Sequence, residues 1–130
     1  MLKPLPFFAV AATLWLAAVS AALADIKDYE FQLVQNEIKS GEAIVAVRVV
    51  HKPTGKPVPE AVIFSKRLDM APDNMATMTT PLEPVENNEP GVYRFKTKLT
   101  MDGRWQLSVA AKLQGESGTL QGRLIIKAVP

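Results

Sequence analysis

Three methionines fall within nine residues, in the run Met70-Ala71-Pro72-Asp73-Asn74-Met75-Ala76-Thr77-Met78. A fourth, Met101, stands beside a turn signal at Asp102-Gly103, and one histidine, His51, is the only imidazole in the chain. A thioether is soft and uncharged, and binds a metal without first losing a proton. It selects Cu(I), and Ag(I) by the same softness, over Zn²⁺ or Ca²⁺. Met70, Met75 and Met78 therefore make a candidate Cu(I) or Ag(I) site, with His51 and Met101 as further ligands to consider. The competing reading is that methionine fills irregular space in a core. Spacing also sets a condition. On a regular strand Met75 and Met78 point to opposite faces, so they share an ion only if the chain bends between them. Asp69 and Asp73 read as solvated loop carboxylates, hard donors unsuited to Cu(I).

Other chemistries are poorly supplied. There is no cysteine, which excludes disulfides and thiolate sites, and a single histidine excludes a multi-histidine centre. A catalytic triad would have to use His51, and no G-x-S-x-G run exists. Glu86 and Glu89 lie in an exposed turn, where raised pKa values are not expected. Glycine-rich phosphate loops are absent. The expectation is a non-enzyme with no evident small-molecule substrate. Basic and acidic side chains number 15 and 13, a net charge of +2, which leaves no electrostatic footprint for nucleic acid.

The elements that must position these residues begin after an export signal. Residues 1–24 carry Lys3, an uncharged run from Phe7 onward and the small-residue pattern Ala22-Leu23-Ala24. They read as a signal peptide, with an uncleaved membrane anchor as the alternative. Either places residues 25–130 outside the cytoplasm, in the periplasm. That segment is one domain in size, and without disulfides it depends on core packing alone.

Its dominant period is two. Tyr29, Phe31 and Leu33 alternate with polar residues, as do Tyr93, Phe95 and Leu99, and Trp105, Leu107, Val109 and Ala111. Ala43 to Val50 and Ala61 to Phe64 are more continuously apolar, as in central strands. Leu120, Leu124 and Ile126 share a face of a last strand. Turn signals lie at 52–57, 86–91, 101–103 and 114–118. The pattern predicts an all-β, immunoglobulin-like antiparallel β-sandwich of six or seven strands. Lys66 to Pro90 is the exception, with a strand expected from about Met75 to Val85 and a loop over Arg67 to Asn74. Trp105 is expected in the core between the sheets, and Tyr93 with its ring in the core and its hydroxyl bonded at an edge.

Three segments in order, HKPTGKPVPEAVIFS from His51, MAPDNMATM from Met70 and EPGVYRFKTKLTMDGRWQLSV from Glu89, resemble the YtkA-like domain, also found in FixH-type proteins. The resemblance implies an exported immunoglobulin-like sandwich, similar in outline to CopC-like periplasmic copper proteins. It implies service to a heavy-metal efflux or copper-insertion system. The partners it implies are a membrane cation pump, an efflux complex or an oxidase assembly complex. It carries the metal role onto Met70, Met75 and Met78. The chain departs from the CopC kind in having Asp25-Ile26, and no histidine, where the mature chain would start. A second function keeps the same fold without a metal: an adaptor that docks on a membrane complex through a sheet face or an edge strand.

Overall fold

The computed structural model describes residues 25–86 and 88–130. The proposed export segment, residues 1–24, lies outside the described residues. Ten strands form two five-stranded sheets among the described residues. The strands are β1 (Tyr29–Leu33), β2 (Glu37–Lys39), β3 (Gly41–His51), β4 (Lys56–Pro57), β5 (Val62–Met70), β6 (Met75–Thr80), β7 (Glu83–Val85), β8 (Val92–Leu99), β9 (Gly103–Lys112) and β10 (Leu120–Val129). The first sheet has the order β1-β3-β8-β7, with β4 pairing the end of β3. The second has the order β2-β10-β9-β5-β6. The all-β sandwich is as expected. Its larger strand count comes from short pieces, β2, β4 and β7, whose two or three residues are too few to show a period. The β2–β10 pair is parallel, while the other pairs are antiparallel.

Alternation builds the core. Along β9, Trp105, Leu107, Val109 and Ala111 are buried and the residues between them are not. From the facing sheet come Val45, Val47 and Val49 of β3 and Phe95 and Leu99 of β8. Trp105 is fully buried, and its Nε1–H donates to the Met101 carbonyl at 3.1 Å. Tyr93 packs against the core. Its hydroxyl donates to Val58 O and accepts from Ala61 N–H, each at 2.9 Å, pinning the loop that leads into β5. Burial raises its pKa, because the phenolate would lose solvation there.

The two long sides of the sandwich close differently. On one side Phe31 of β1 leans across to β10, where Gly122 has no side chain to obstruct it. A Cβ there would lie 2.7 Å from the ring. On the other, the expected single strand from Met75 to Val85 is two strands that break at Pro81-Leu82 and change sheets. Thr80 donates to Lys98 O and Thr97 to Pro81 O, stitching that crossing. The continuously apolar stretch Ala61–Phe64, expected in a central strand, lies instead where β5 pairs β9 alone. β6 meets only Leu68–Met70, and Val62 and Phe64 are exposed.

Candidate functional site

The methionines sit on a hairpin. Residues Arg67–Met70, expected in a loop, are the end of β5, and only four residues, 71–74, connect it to β6. Pro72 helps fix a single 3-10 turn at Ala71–Asp73. Asn74 then closes it in the left-handed region (φ 62°), which short polar side chains tolerate best among non-glycine residues. Met70 and Met75 are direct partners across the hairpin. Opposed residues of an antiparallel pair share a face, with Cβ atoms roughly 4.5–5.5 Å apart.

The bend that Met75 and Met78 require is present. Pairing runs Leu68 to Thr80 and Asp69 to Thr79, then jumps to Met70 and Met75, so three residues bulge out of β6. An odd-numbered bulge reverses the parity of the strand beyond it. Met75 and Met78, which a regular strand would set on opposite faces, therefore both turn inward and pack against the core. Met70 is buried at 1% exposure, while Met75 and Met78 are half-buried.

Two arginines hold the hairpin. Arg67 donates from Nε to Asp69 Oδ2 at 2.7 Å and from Nη2 to the carbonyl of Ala76, inside the bulge, at 2.8 Å. Asp69 Oδ1 accepts from the Ala71 N–H at 2.9 Å. Arg104 donates its backbone N–H and its Nε to Asp73, both at 2.8 Å, and Nη2 to Pro72 O at 2.7 Å. The aspartates are thus not simple solvated carboxylates. Asp69 is only 4% exposed, and both are committed to arginines and backbone. Nothing local in the sequence announces the Asp73–Arg104 pair, which spans 31 residues. Gly103 lies directly under it. A Cβ at this residue would sit 2.6 Å from Asp73 Oδ2 and 2.7 Å from the Met70 methyl.

The Arg104 backbone N–H, reinforced by its guanidinium, holds the Asp73 carboxyl below the ordinary 3.8. A depressed carboxylate contributes stability above its unfolded value, lost as pH falls through the folded one. The clamp should therefore weaken below about pH 4. Asp73→Asn should lose this acid step. Hydrogen exchange of residues 71–78 at pH 3 and pH 6 checks it: the wild type should exchange faster at pH 3 beyond the intrinsic pH effect, and the variant should not.

The other candidate ligands divide. The Met101 turn lies at the same end of the sandwich as the hairpin, and Met101 itself is 40% exposed. His51 does not join them. β3 runs from Gly41, paired with Leu99 at the methionine end, to His51, paired with Tyr29 at the other. Eleven residues at about 3.3 Å each separate the two by roughly 30 Å. There His51 Nδ1 bonds Thr54 Oγ1 at 2.9 Å, and its ring lies 5.0 Å from that of Tyr29. The parity of one strand could not reveal that its last residue and the hairpin occupy opposite ends. Among the described residues no group of three or more His, Cys, Asp or Glu gathers, and the carboxylates beside the methionines, Asp69 and Asp73, are held by Arg67 and Arg104.

No curated protein matches the chain. Among solved structures, the ZirS C-terminal domain is 14% identical. The match covers 97% of this chain and 83% of that one, with a TM-score of 0.47. A conjugative transposon lipoprotein from Bacteroides eggerthii is 13% identical, over 76% of this chain and 96% of that one, with a TM-score of 0.34. Neither likeness bears on what this chain does. The YtkA-like family model matches residues 23–110, well over half of the chain, taking in the methionine hairpin, the Arg104 clamp and Trp105. With the sandwich and the ordered motifs it spans, that match settles the family: the chain belongs to the YtkA-like proteins.

Proposed function

We propose that this chain is an exported, envelope-associated accessory domain that handles a soft monovalent ion, Cu(I) or Ag(I), on its methionine hairpin. It performs no catalysis of its own, and passes the ion to a heavy-metal efflux or copper-insertion system in the membrane. The observation that carries this reading is the three-residue bulge in β6. It turns Met78 to the face that Met75 and Met70 already share. The same bulge packs both methionines against the core and leaves all three thioethers on one face. The donor set fits the ion: soft sulfur in an apolar setting, with the neighbouring carboxylates already neutralised by arginines. Bound there, the ion would be held by thioethers that stay in the same state at any envelope pH. Family membership supports the exported location.

Competition for Cu(I) against bicinchoninate tests the proposal. The protein should take up Cu(I) in a 1:1 ratio, and the Met75→Leu/Met78→Leu double variant should lose at least about tenfold in affinity. Leucine conserves volume, so stability should change by less than about 1.5 kcal/mol per site. Absence of stoichiometric uptake by the wild type would contradict it.

A second reading has its own observation. The first half of β5 pairs β9 on one side only, and carries the two most exposed large apolar side chains among the described residues, Val62 (63%) and Phe64 (56%). An unpaired edge with apolar side chains suits a metal-free adaptor that adds a partner strand. On that reading the methionines are packing residues, and the double variant leaves function intact.

A further inference from the structure

The free edge of β5 carries a charge on its inner face. Leu68 pairs Leu107 and Lys66 pairs Val109, both buried residues of β9. Opposed residues of an antiparallel pair share a face, so Lys66 stands at a core-facing position. Beyond it the register slips. Ser65 pairs Ala110 and Ile63 pairs Ala111, which leaves Phe64 as the extra residue of a bulge and returns Ile63 to the inner face. Lys66 Nζ lies 5.9 Å from the centre of the Phe95 ring, on the facing sheet. The side chain therefore reaches from one sheet toward the other, while the residue as a whole stays exposed to water.

The gap it enters is a cleft of about 210 Å³ between β5 and the β7–β8 edge, walled by Ile63, Pro84, Val85, Tyr93 and Phe95. No carboxylate lines it. Arg94, at its rim, is bonded to Glu89. Lys66 makes no ion pair among the described residues. Small-molecule pockets run roughly 300–1,000 Å³. This cleft falls below that range, a space for a side chain rather than for a whole ligand. Among the described residues, both strands that border it have a free edge there: β6 reaches only Leu68–Met70 of β5, and β7 ends the first sheet.

We propose that this seam admits a strand of a protein partner with an acidic side chain at the position facing Lys66, and that Lys66 sets that requirement. The inference rests on the strand-addition reading of the β5 edge and does not depend on the metal. A strand laid against Val62–Arg67 covers the cleft and takes water from the ammonium. With an apolar or basic side chain opposite, the charge is left buried and unpaired, which costs free energy. A carboxylate opposite, with Cβ atoms roughly 4.5–5.5 Å apart, meets it in a cross-strand pair. The β5 of a second copy does not supply that carboxylate, since residues 62–67 include Lys66 and Arg67 and no acid. Lys66 thus guards the edge against self-association and selects among foreign strands.

Three blocked strand-forming peptides, TVTETVT, TVTQTVT and TVTKTVT in one-letter code, test it when titrated into the purified protein at low salt and followed by amide NMR. The amides of residues 62–67 should shift. TVTETVT should bind about threefold to fivefold more tightly than TVTQTVT, with TVTKTVT the weakest. Lys66→Gln should erase this ranking and Lys66→Glu should invert it. Should Lys66→Glu not fold, the neutral Lys66→Gln carries the readout. Equal affinity for the three peptides at residues 62–67, or a ranking that Lys66→Gln leaves intact, would overturn the proposal and leave strand addition standing. No shift at these residues from any peptide would overturn both. A wild type that sediments as a dimer, with the same amides protected from exchange, would overturn it in favour of a second copy.

Discussion

Trp105→Ala should lower the free energy of unfolding by about 3–5 kcal/mol, the largest single loss expected in this protein. Trp105 is fully buried. It sits on β9, which pairs β10 on one side and β5 on the other, so its cavity would open between the two sheets where backbone on both sides is fixed by ladders. The indole also donates to the Met101 carbonyl, and its loss frees the turn that precedes Gly103. Domains of this size are stable by only about 5–15 kcal/mol, and no disulfide offsets the loss here. Urea unfolding followed by far-UV circular dichroism is the suitable measurement, since the sequence's other tryptophan is Trp15 and the variant is left without a core fluorophore. Trp105→Phe, which keeps an aromatic ring in the site, should lose clearly less.

The second large effect is expected at Gly103. Its φ of +136° is a conformation L side chains rarely adopt, and the space a Cβ would occupy is taken by Asp73 Oδ2 and the Met70 methyl. Gly103→Ala therefore adds backbone strain to two displaced contacts, for an expected loss of about 2–3 kcal/mol. Gly55→Ala is the control. It also has positive φ (71°) but nothing within 4 Å, so it reports strain alone, about 1 kcal/mol. The difference between the two variants in denaturant midpoint measures how firmly the Arg104 clamp and Met70 are seated. Equal losses would mean that the hairpin end yields freely and that Gly103 serves only the turn.

The sandwich was legible because alternation is a local signal. Trp105, Leu107, Val109 and Ala111 announce a strand and its buried face by themselves, and so do Leu120, Leu124 and Ile126. The hairpin was legible only in outline. A bulge in β6 depends on how β6 pairs β5, and no single segment contains that information. The same holds for Asp73, which looks like any loop carboxylate until the fold brings Arg104 to it from 31 residues away; Arg67 and Asp69 stand only two residues apart, and the loop expected over Arg67 to Asn74 hid the strand face they share. His51 stands apart from the methionines for a related reason. Sequence places it at the end of a strand, but only topology says which end of the molecule that is. Ala61–Phe64 misled because continuous apolarity marks burial in most strands, and here two of its side chains lie on an open edge.

The central claim is that Met70, Met75 and Met78 act together on a soft ion. With the methionine methyls labelled with ¹³C, titration with Ag(I) reads each thioether separately. The structure predicts that the methyl resonances of Met70, Met75 and Met78 move together and saturate at one equivalent, with His51 unaffected. Methyl resonances that stay in place at one equivalent, or that move only at Met101, would contradict it.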